Sequence, residues 1–354
     1  MLKISISKFE DLFAAISRHM GLYLPIEETG LVEFRPWLPG SAVKLERLHT
    51  TRSPKDFFFP SSENIAAFTR HKNDITIEAS QPPAAPFALF GVRPCDAASF
   101  DILDRVFMGD PQFVDSFYAT RRENGLVITA ACLSPEETCF CTAFAIDPVN
   151  PAGDVATWLV GDTLYWQAHT EKGRALTEKI GDLFENAEDT ERLKAAKAAA
   201  EGIFEKLPFA GLNLDSFADA NLMDVFNAPQ WESLHYACLG CGTCTFTCPT
   251  CHCYDIGDYN TGEKIVRSRC WDSCMYSDFT LMAHGNPRTT QLQRFRQRFM
   301  HKLVYFPENF RNDKGEGVFA CTGCGRCVQK CPVSLNIVKV AKALENREED
   351  IQNA

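Results

Sequence analysis

Cys238-Leu-Gly-Cys-Gly-Thr-Cys-Thr-Phe-Thr-Cys-Pro249 and Cys321-Thr-Gly-Cys-Gly-Arg-Cys-Val-Gln-Lys-Cys-Pro332 are two copies of one pattern, C-x2-C-x2-C-x3-C-P. Two-residue gaps let a tight turn aim successive thiolates at one centre, and the proline ends that turn and sends the fourth cysteine elsewhere. In bacterial ferredoxins this run holds three corners of one [4Fe-4S] cube and lends its fourth thiolate to the other cube. The predicted grouping is therefore Cys238, Cys241 and Cys244 with Cys331, and Cys321, Cys324 and Cys327 with Cys248. A pair of structural zinc ribbons is the alternative, because any C-x2-C pair is also a zinc signature. Zinc has no use for a third cysteine at the same gap with a C-x3-C-P tail, twice repeated. Two [4Fe-4S] clusters are the expected cofactors.

The rest of the composition is consistent with a redox protein of the cell interior. A chain of 354 residues has room for two or three domains. Sixteen cysteines without a secretory signal argue for metal ligation in a reducing, cytoplasmic compartment and against a disulfide scaffold. Met1 to Met20 mixes acids and bases among its apolar residues, unlike a signal or transit peptide. The run Phe87 to Val92 is core-strand length, so no membrane span is expected. A formal charge of −10 argues against a nucleic-acid partner.

The chain changes character near residue 215, which predicts an α+β protein. A mixed α/β domain over 1–215 would be followed by a mainly helical two-cluster ferredoxin-type domain over 216–354, carrying an insertion at 249–320. Ser7 with Glu10 reads as a capping box for a helix with Phe9, Leu12, Phe13 and Ile16 on one face. Phe87–Arg93 reads as a buried strand running into a helix from Pro94 on; Gly125–Ala131 and Asp162–Ala168 read as further strands. A charged helical stretch is expected from about Glu171 to Lys206, and a connection from Leu207 to Gln230. Within the insertion, Gln291–Lys302 reads as an amphipathic helix with Leu292, Phe295 and Phe299 on one face. Its Arg294, Arg296, Arg298 and Lys302 either form a solvated basic side or face the anionic clusters, where they would raise the potential.

Eight cysteines lie outside the two motifs: Cys95, Cys132, Cys139 and Cys141 in the first half, and Cys251, Cys253, Cys270 and Cys274 in the insertion. Each set is enough for one more [4Fe-4S] cluster, so one or two additional clusters are expected. Cys95 stands where a strand turns into a helix, a position that stabilises a thiolate. Cys139-Phe-Cys141 and Cys251-His-Cys253 suit adjacent corners of a cube, and the two pairs are also compatible with one shared cluster. A single buried cysteine is otherwise a small apolar core residue. Cys270 is the weakest member, leaving open a different fourth group for Cys251, Cys253 and Cys274. His252, between two of these ligands, reads as a hydrogen-bond donor behind them.

Gly91-Val-Arg-Pro-Cys-Asp96, Thr138-Cys-Phe-Cys141, Cys248-Pro-Thr-Cys-His-Cys253 and Trp271-Asp-Ser-Cys274, with Asp56-Phe-Phe-Phe-Pro60 and Arg121-Arg-Glu-Asn-Gly125, together resemble one family. It is the β-subunit family of cytoplasmic sulfhydrogenases, which includes the corresponding component of anaerobic sulfite reductase and the iron–sulfur subunit of flavin oxidoreductases linked to heterodisulfide reductase. The resemblance implies an electron-relay component, not the catalytic one. Its implied partners are a flavin subunit that meets NAD(P)H and a catalytic subunit of hydrogenase, sulfite reductase or heterodisulfide reductase type. No G-x-G-x-x-G follows a strand, which agrees with a chain lacking its own dinucleotide site. The rival is a catalytic oxidoreductase subunit whose first domain binds a flavin or special cluster, with Arg93 and Asp96 as its polar groups. Their bland alternative is a surface base and a helix cap. A cluster-bearing sensor would need a regulatory domain, and the sequence displays none.

Overall fold

The computed structural model describes residues 1–72, 74–218 and 220–345. Twelve strands occur among them: β1 (Leu2–Ser5), β2 (Gly21–Glu28), β3 (Leu31–Pro36), β4 (Ser62–His71), β5 (Asp74–Ala79), β6 (Phe87–Val92), β7 (Gly125–Ala130), β8 (Val155–Val160), β9 (Thr163–Ala168), β10 (Glu185–Asn186), β11 (Tyr254–Asn260) and β12 (Ile265–Trp271). They form an eight-stranded sheet ordered β10-β1-β9-β8-β7-β6-β2-β3 and a four-stranded sheet ordered β11-β12-β4-β5. Two compact units contain them. The first comprises Met1–Phe58, Pro83–Gly211 and Thr322–Gly325; the second comprises Phe59–Pro82, Leu212–Cys321 and Arg326–Ala354. The division is therefore not the single cut near residue 215 read from the sequence, because chain segments far apart in sequence pair with one another.

In the first unit, β2, β6, β7 and β8 are parallel neighbours, with antiparallel strands on both flanks. The central β6 is apolar at every position and almost wholly buried, as a strand covered on both faces must be. Its Phe90 meets Phe13 edge-on at 5.5 Å and Trp166 at 6.1 Å. Leu12, Phe13 and Ile16 of the helix Phe9–Ser17 close the same core. Removing a fully buried Phe side chain of this kind costs about 3–5 kcal/mol. The predicted capping box does not form: Ser5 caps a short 3-10 turn at Ile6–Lys8, so the helix begins only after Lys8. Likewise the charged stretch after β9 is two helices, Glu171–Lys179 and Glu191–Phe204, broken near Gly181.

The second unit contains two seven-residue strands inside the insertion expected to be helix and loop. β12 pairs with β11 and, across a large sequence gap, with β4. Arg269 of β12 is buried against Glu63 of β4, and Trp271 Nε1 donates to the Phe59 carbonyl at 3.2 Å. The helix Gln291–Met300 starts on a capping box, Thr290 with Gln293, and runs directly into a π turn over His301–Tyr305. The wider turn changes the rotation of the chain, so Lys302, Leu303 and Val304 are all buried.

Candidate metal centres

In the second unit, Cys238, Cys241, Cys244 and Cys331 line one pocket, together with Arg298 and Phe299. The pattern Cys-x-Gly-Cys-Gly-x-Cys folds this way because Gly240 and Gly242 take left-handed backbone angles, φ +66° and +74°. Backbone N–H groups already point at sulfur: Gly240 donates to Cys238 Sγ at 3.4 Å and Leu335 to Cys331 Sγ at 3.2 Å. Arg298 is 2% exposed; its Nε donates to Cys244 Sγ at 3.0 Å and its Nη2 to the Cys244 carbonyl at 2.9 Å. Its buried Nη1 has no partner among the described residues.

Lys302 is another buried cation, 3% exposed, donating to Thr250 Oγ1 at 2.8 Å and the Ala320 carbonyl at 2.7 Å. The Thr250 hydroxyl also lies 3.2 Å from Cys248 Sγ. Cys248 is hydrogen-bonded to Cys251, and this bond, with Lys302 and Arg298 behind it, holds Cys248 well below the usual thiol range. Burial depresses Lys302, but the thiols of Cys248, Cys251 and Cys321 outweigh it and hold the ammonium charged. The field of Arg298 likewise comes from Cys244, Cys251, Cys327 and Cys248. Cys274 is hydrogen-bonded to Cys253, which with burial pushes its thiol far up. Burial and the charge of nearby His252 and Lys302 hold His301 down at about 3, so its imidazole is neutral. The basic side of this helix is thus divided. Arg298 and Lys302 turn inward, while Arg296 stacks over Phe226 at 3.6 Å.

The first unit gathers another set. Cys95, Cys132, Cys139 and Cys141 are buried in one cluster with Leu48, Phe204 and Cys324. Burial pushes Cys139 and Cys141 up to about 12. Cys324 joins them through a close backbone approach: Phe140 N donates to the Gly323 carbonyl at 2.9 Å. A Cβ on Gly323 would collide with the Phe140 carbonyl oxygen, and one on Gly325 would lie 2.6 Å from that of Thr138. The sequence reading missed this juxtaposition, although the Gly-Cys-Gly in both motifs signals a loop needing positive φ. Arg93 and Asp96 also depart from their bland alternative. Arg93 is buried, with its guanidinium on the carbonyls of Leu45, Arg47 and Ala131. Asp96 is buried in the first helical turn, whose N-cap position belongs to Arg93. Cys270 lies exposed on β12, 3.3 Å from Ser62 Oγ. The register of β12 on β11 sets it opposite Asp255, two residues from Cys253.

Among the described residues, no three His, Cys, Asp or Glu side chains converge on a single metal ion. A tetrahedral zinc with Zn–S bonds of about 2.3 Å needs its thiols within about 4 Å of one another. An iron–sulfur cube holds its ligands farther apart.

Doubled cysteine loops in a chain that also carries a mixed α/β sheet define an iron–sulfur protein. Residues 237–335 match the 4Fe-4S dicluster domain family. The chain is 30% identical over 344 residues to sulfhydrogenase 2 subunit beta of Pyrococcus furiosus, covering 96% of each protein. It belongs to the sulfhydrogenase β-subunit family and is an iron–sulfur oxidoreductase component. No solved structure matches it. No helix among the described residues is long and apolar enough to cross a membrane.

Proposed function

We propose that this chain is the electron-relay subunit of a cytoplasmic, multisubunit oxidoreductase. It would carry single electrons between a flavin subunit that meets NAD(P)H and a catalytic subunit of hydrogenase, sulfite reductase or heterodisulfide reductase type. The observation that carries the reading is the pocket shared by Cys331 with Cys238, Cys241 and Cys244, into which buried Arg298 reaches. That crossing of one motif by the last cysteine of the other is what a two-cluster ferredoxin requires. The Pyrococcus furiosus relative, named as a subunit of a sulfhydrogenase, supports an oxidoreductase complex.

Bound there, [4Fe-4S] clusters supply one-electron redox chemistry, at potentials between about −700 and +450 mV. The chain's own residues hold the ligands, keep water away and set the charge around them. Arg298 and Lys302 are buried among thiols, and added negative charge on reduction strengthens their attraction, so they favour the reduced state. Cys251, Cys253 and Cys274 would hold most of a further cluster, with Cys270 or a different group as its fourth ligand.

The isolated chain should accept electrons from dithionite and not from NADH or NADPH, and a flavoprotein partner should restore nicotinamide-linked reduction. Direct bleaching of its visible absorbance by NADPH alone would sink the relay assignment. Cys331→Ala should remove the paramagnetic signal of the cluster on Cys238, Cys241 and Cys244 and spare the other; loss of only the second-motif signal would overturn the crossed grouping.

A further inference from the structure

The carboxyl ends of two neighbouring parallel strands, β6 and β7, bring a separate thiol set together wholly within the first unit. We propose that Cys95, Cys132, Cys139 and Cys141 hold a [4Fe-4S] cluster of their own, with Arg93 as its buried counter-cation. The dicluster match begins at residue 237 and leaves these cysteines unassigned. Ligands of open α/β sheets sit beyond the carboxyl ends of the strands. Cys95 follows β6 directly, in the first turn of the fifteen-residue helix Pro94–Met108, where the helix dipole favours a thiolate. Cys132 lies two residues beyond β7, and the Cys139–Cys141 pair follows in the same loop.

One buried cysteine is ordinary apolar filling, but four packed together with Cys324 are not. Arg93 is an independent sign of an anionic occupant. It is nine-tenths buried and its Nε has no partner among the described residues. The groups that face it are the thiols of Cys132 and Cys95 first, then the carboxyl groups of Asp96 and Glu46; the thiols become negative when they ligate metal. A buried cation is costly unless negative charge and hydrogen bonds compensate it. Arg93 and Cys132 also line a cavity of about 180 Å³ at this end of the sheet. Two ferrous ions, two ferric ions and four sulfides would be the incoming reactants, so no further oxidant is needed; each thiol loses its proton to solvent as its Sγ–Fe bond forms. Cys324, the middle cysteine of the second ferredoxin motif, packs into the same thiol cluster and so brings that motif's loop to this centre.

This inference rests on the iron–sulfur reading but not on the relay role. Iron, acid-labile sulfide and the dithionite-reduced paramagnetic spectrum would be measured on full-length protein purified anaerobically. Wild type should carry at least about twelve irons, and Cys139→Ser with Cys141→Ser should lose about four. Cys95→Ser should lose the same signal, and Cys270→Ser should keep it. Arg93→Met, checked for folding by circular dichroism, should keep the irons and lower the midpoint of one signal only; an unmoved midpoint overturns the part given to Arg93. A wild type with about eight irons, indifferent to the Cys139 and Cys141 substitutions, overturns this site alone. Full iron in Cys95→Ser, with loss of that signal in Cys324→Ser, overturns the ligand set. A wild type without iron overturns the iron–sulfur reading as well.

Discussion

The two cysteine motifs share one loop and occupy opposite surroundings. Gly240 and Gly242 in the first copy, and Gly323 and Gly325 in the second, all take φ between +57° and +80°. In the first copy the middle cysteine, Cys241, is exposed, and a Cβ added to Gly240 would meet only the Gln291 side chain, 3.8 Å away. In the second copy the middle cysteine, Cys324, is buried among the thiols of the first unit, and its flanking glycines press on the Thr138–Cys141 backbone. The spacing sets the shape of a ligand loop. What packs on the loop decides whether its central cysteine is exposed or buried.

The largest test of that contrast is a pair of glycine substitutions. Gly323→Ala adds a collision with a backbone carbonyl to the left-handed strain and should cost about 3 kcal/mol or more. Gly240→Ala should cost only the strain, about 1 kcal/mol. Thermal melting of both variants would measure the difference, and equal losses would erase the distinction between the copies.

Thiol reactivity should separate them next. Hydrogen bonds with Thr243 hold Cys241 below the usual thiol value, whereas burial raises Cys139 and Cys141 to about 12. The thiolate is the nucleophile, so a raised pKa means less of it at a given pH. In apo protein at neutral pH, iodoacetamide should label Cys241 at least about 100-fold faster than Cys139 or Cys141. Labelling of the slow pair should climb about tenfold per pH unit up to about pH 12, as expected of a thiol still mostly protonated below its pKa. Peptide mass spectrometry of the time course would check both statements.

The smallest expected effect is a change of potential. Arg298→Met should lower the midpoint of the cluster on Cys238, Cys241, Cys244 and Cys331 by about 60 mV, the one-electron equivalent of a tenfold change. Arg296, which stacks over Phe226 and bonds its carbonyl at 3.0 Å, supplies the comparison. Arg296→Met should leave that midpoint within about 10 mV. Equal shifts in a redox titration would mean that burial of Arg298 has no special part.

Local pattern made much of the first unit legible. The apolar run Phe87–Val92 followed by Pro94 marked both β6 and the helix after it, and β7 and β9 were nearly as plain. β11 and β12 escaped because Tyr254–Asn260 is exposed throughout, so no buried alternation marks it. Its pairing with β12, and that of β12 with β4, is a long-range decision. Arg298 and Lys302 were readable as cations on a helix, but Lys302 lies in the π turn at His301–Tyr305 and both are set among thiols from other segments.

By itself the sequence determined the doubled ligand loops, since three cysteines at two-residue gaps with glycines between them leave few conformations other than a turn converging on one centre. It also determined the apolar strands that anchor Cys95 and Cys132. Only the tertiary structure decided that Cys331 returns to the first motif's pocket, that Cys324 packs with the thiols of the first unit, and that Arg93, Arg298 and Lys302 are buried. The physical reason is range. Spacing and backbone preference act over a few residues, whereas burying a charge or joining distant thiols depends on every segment that packs around them.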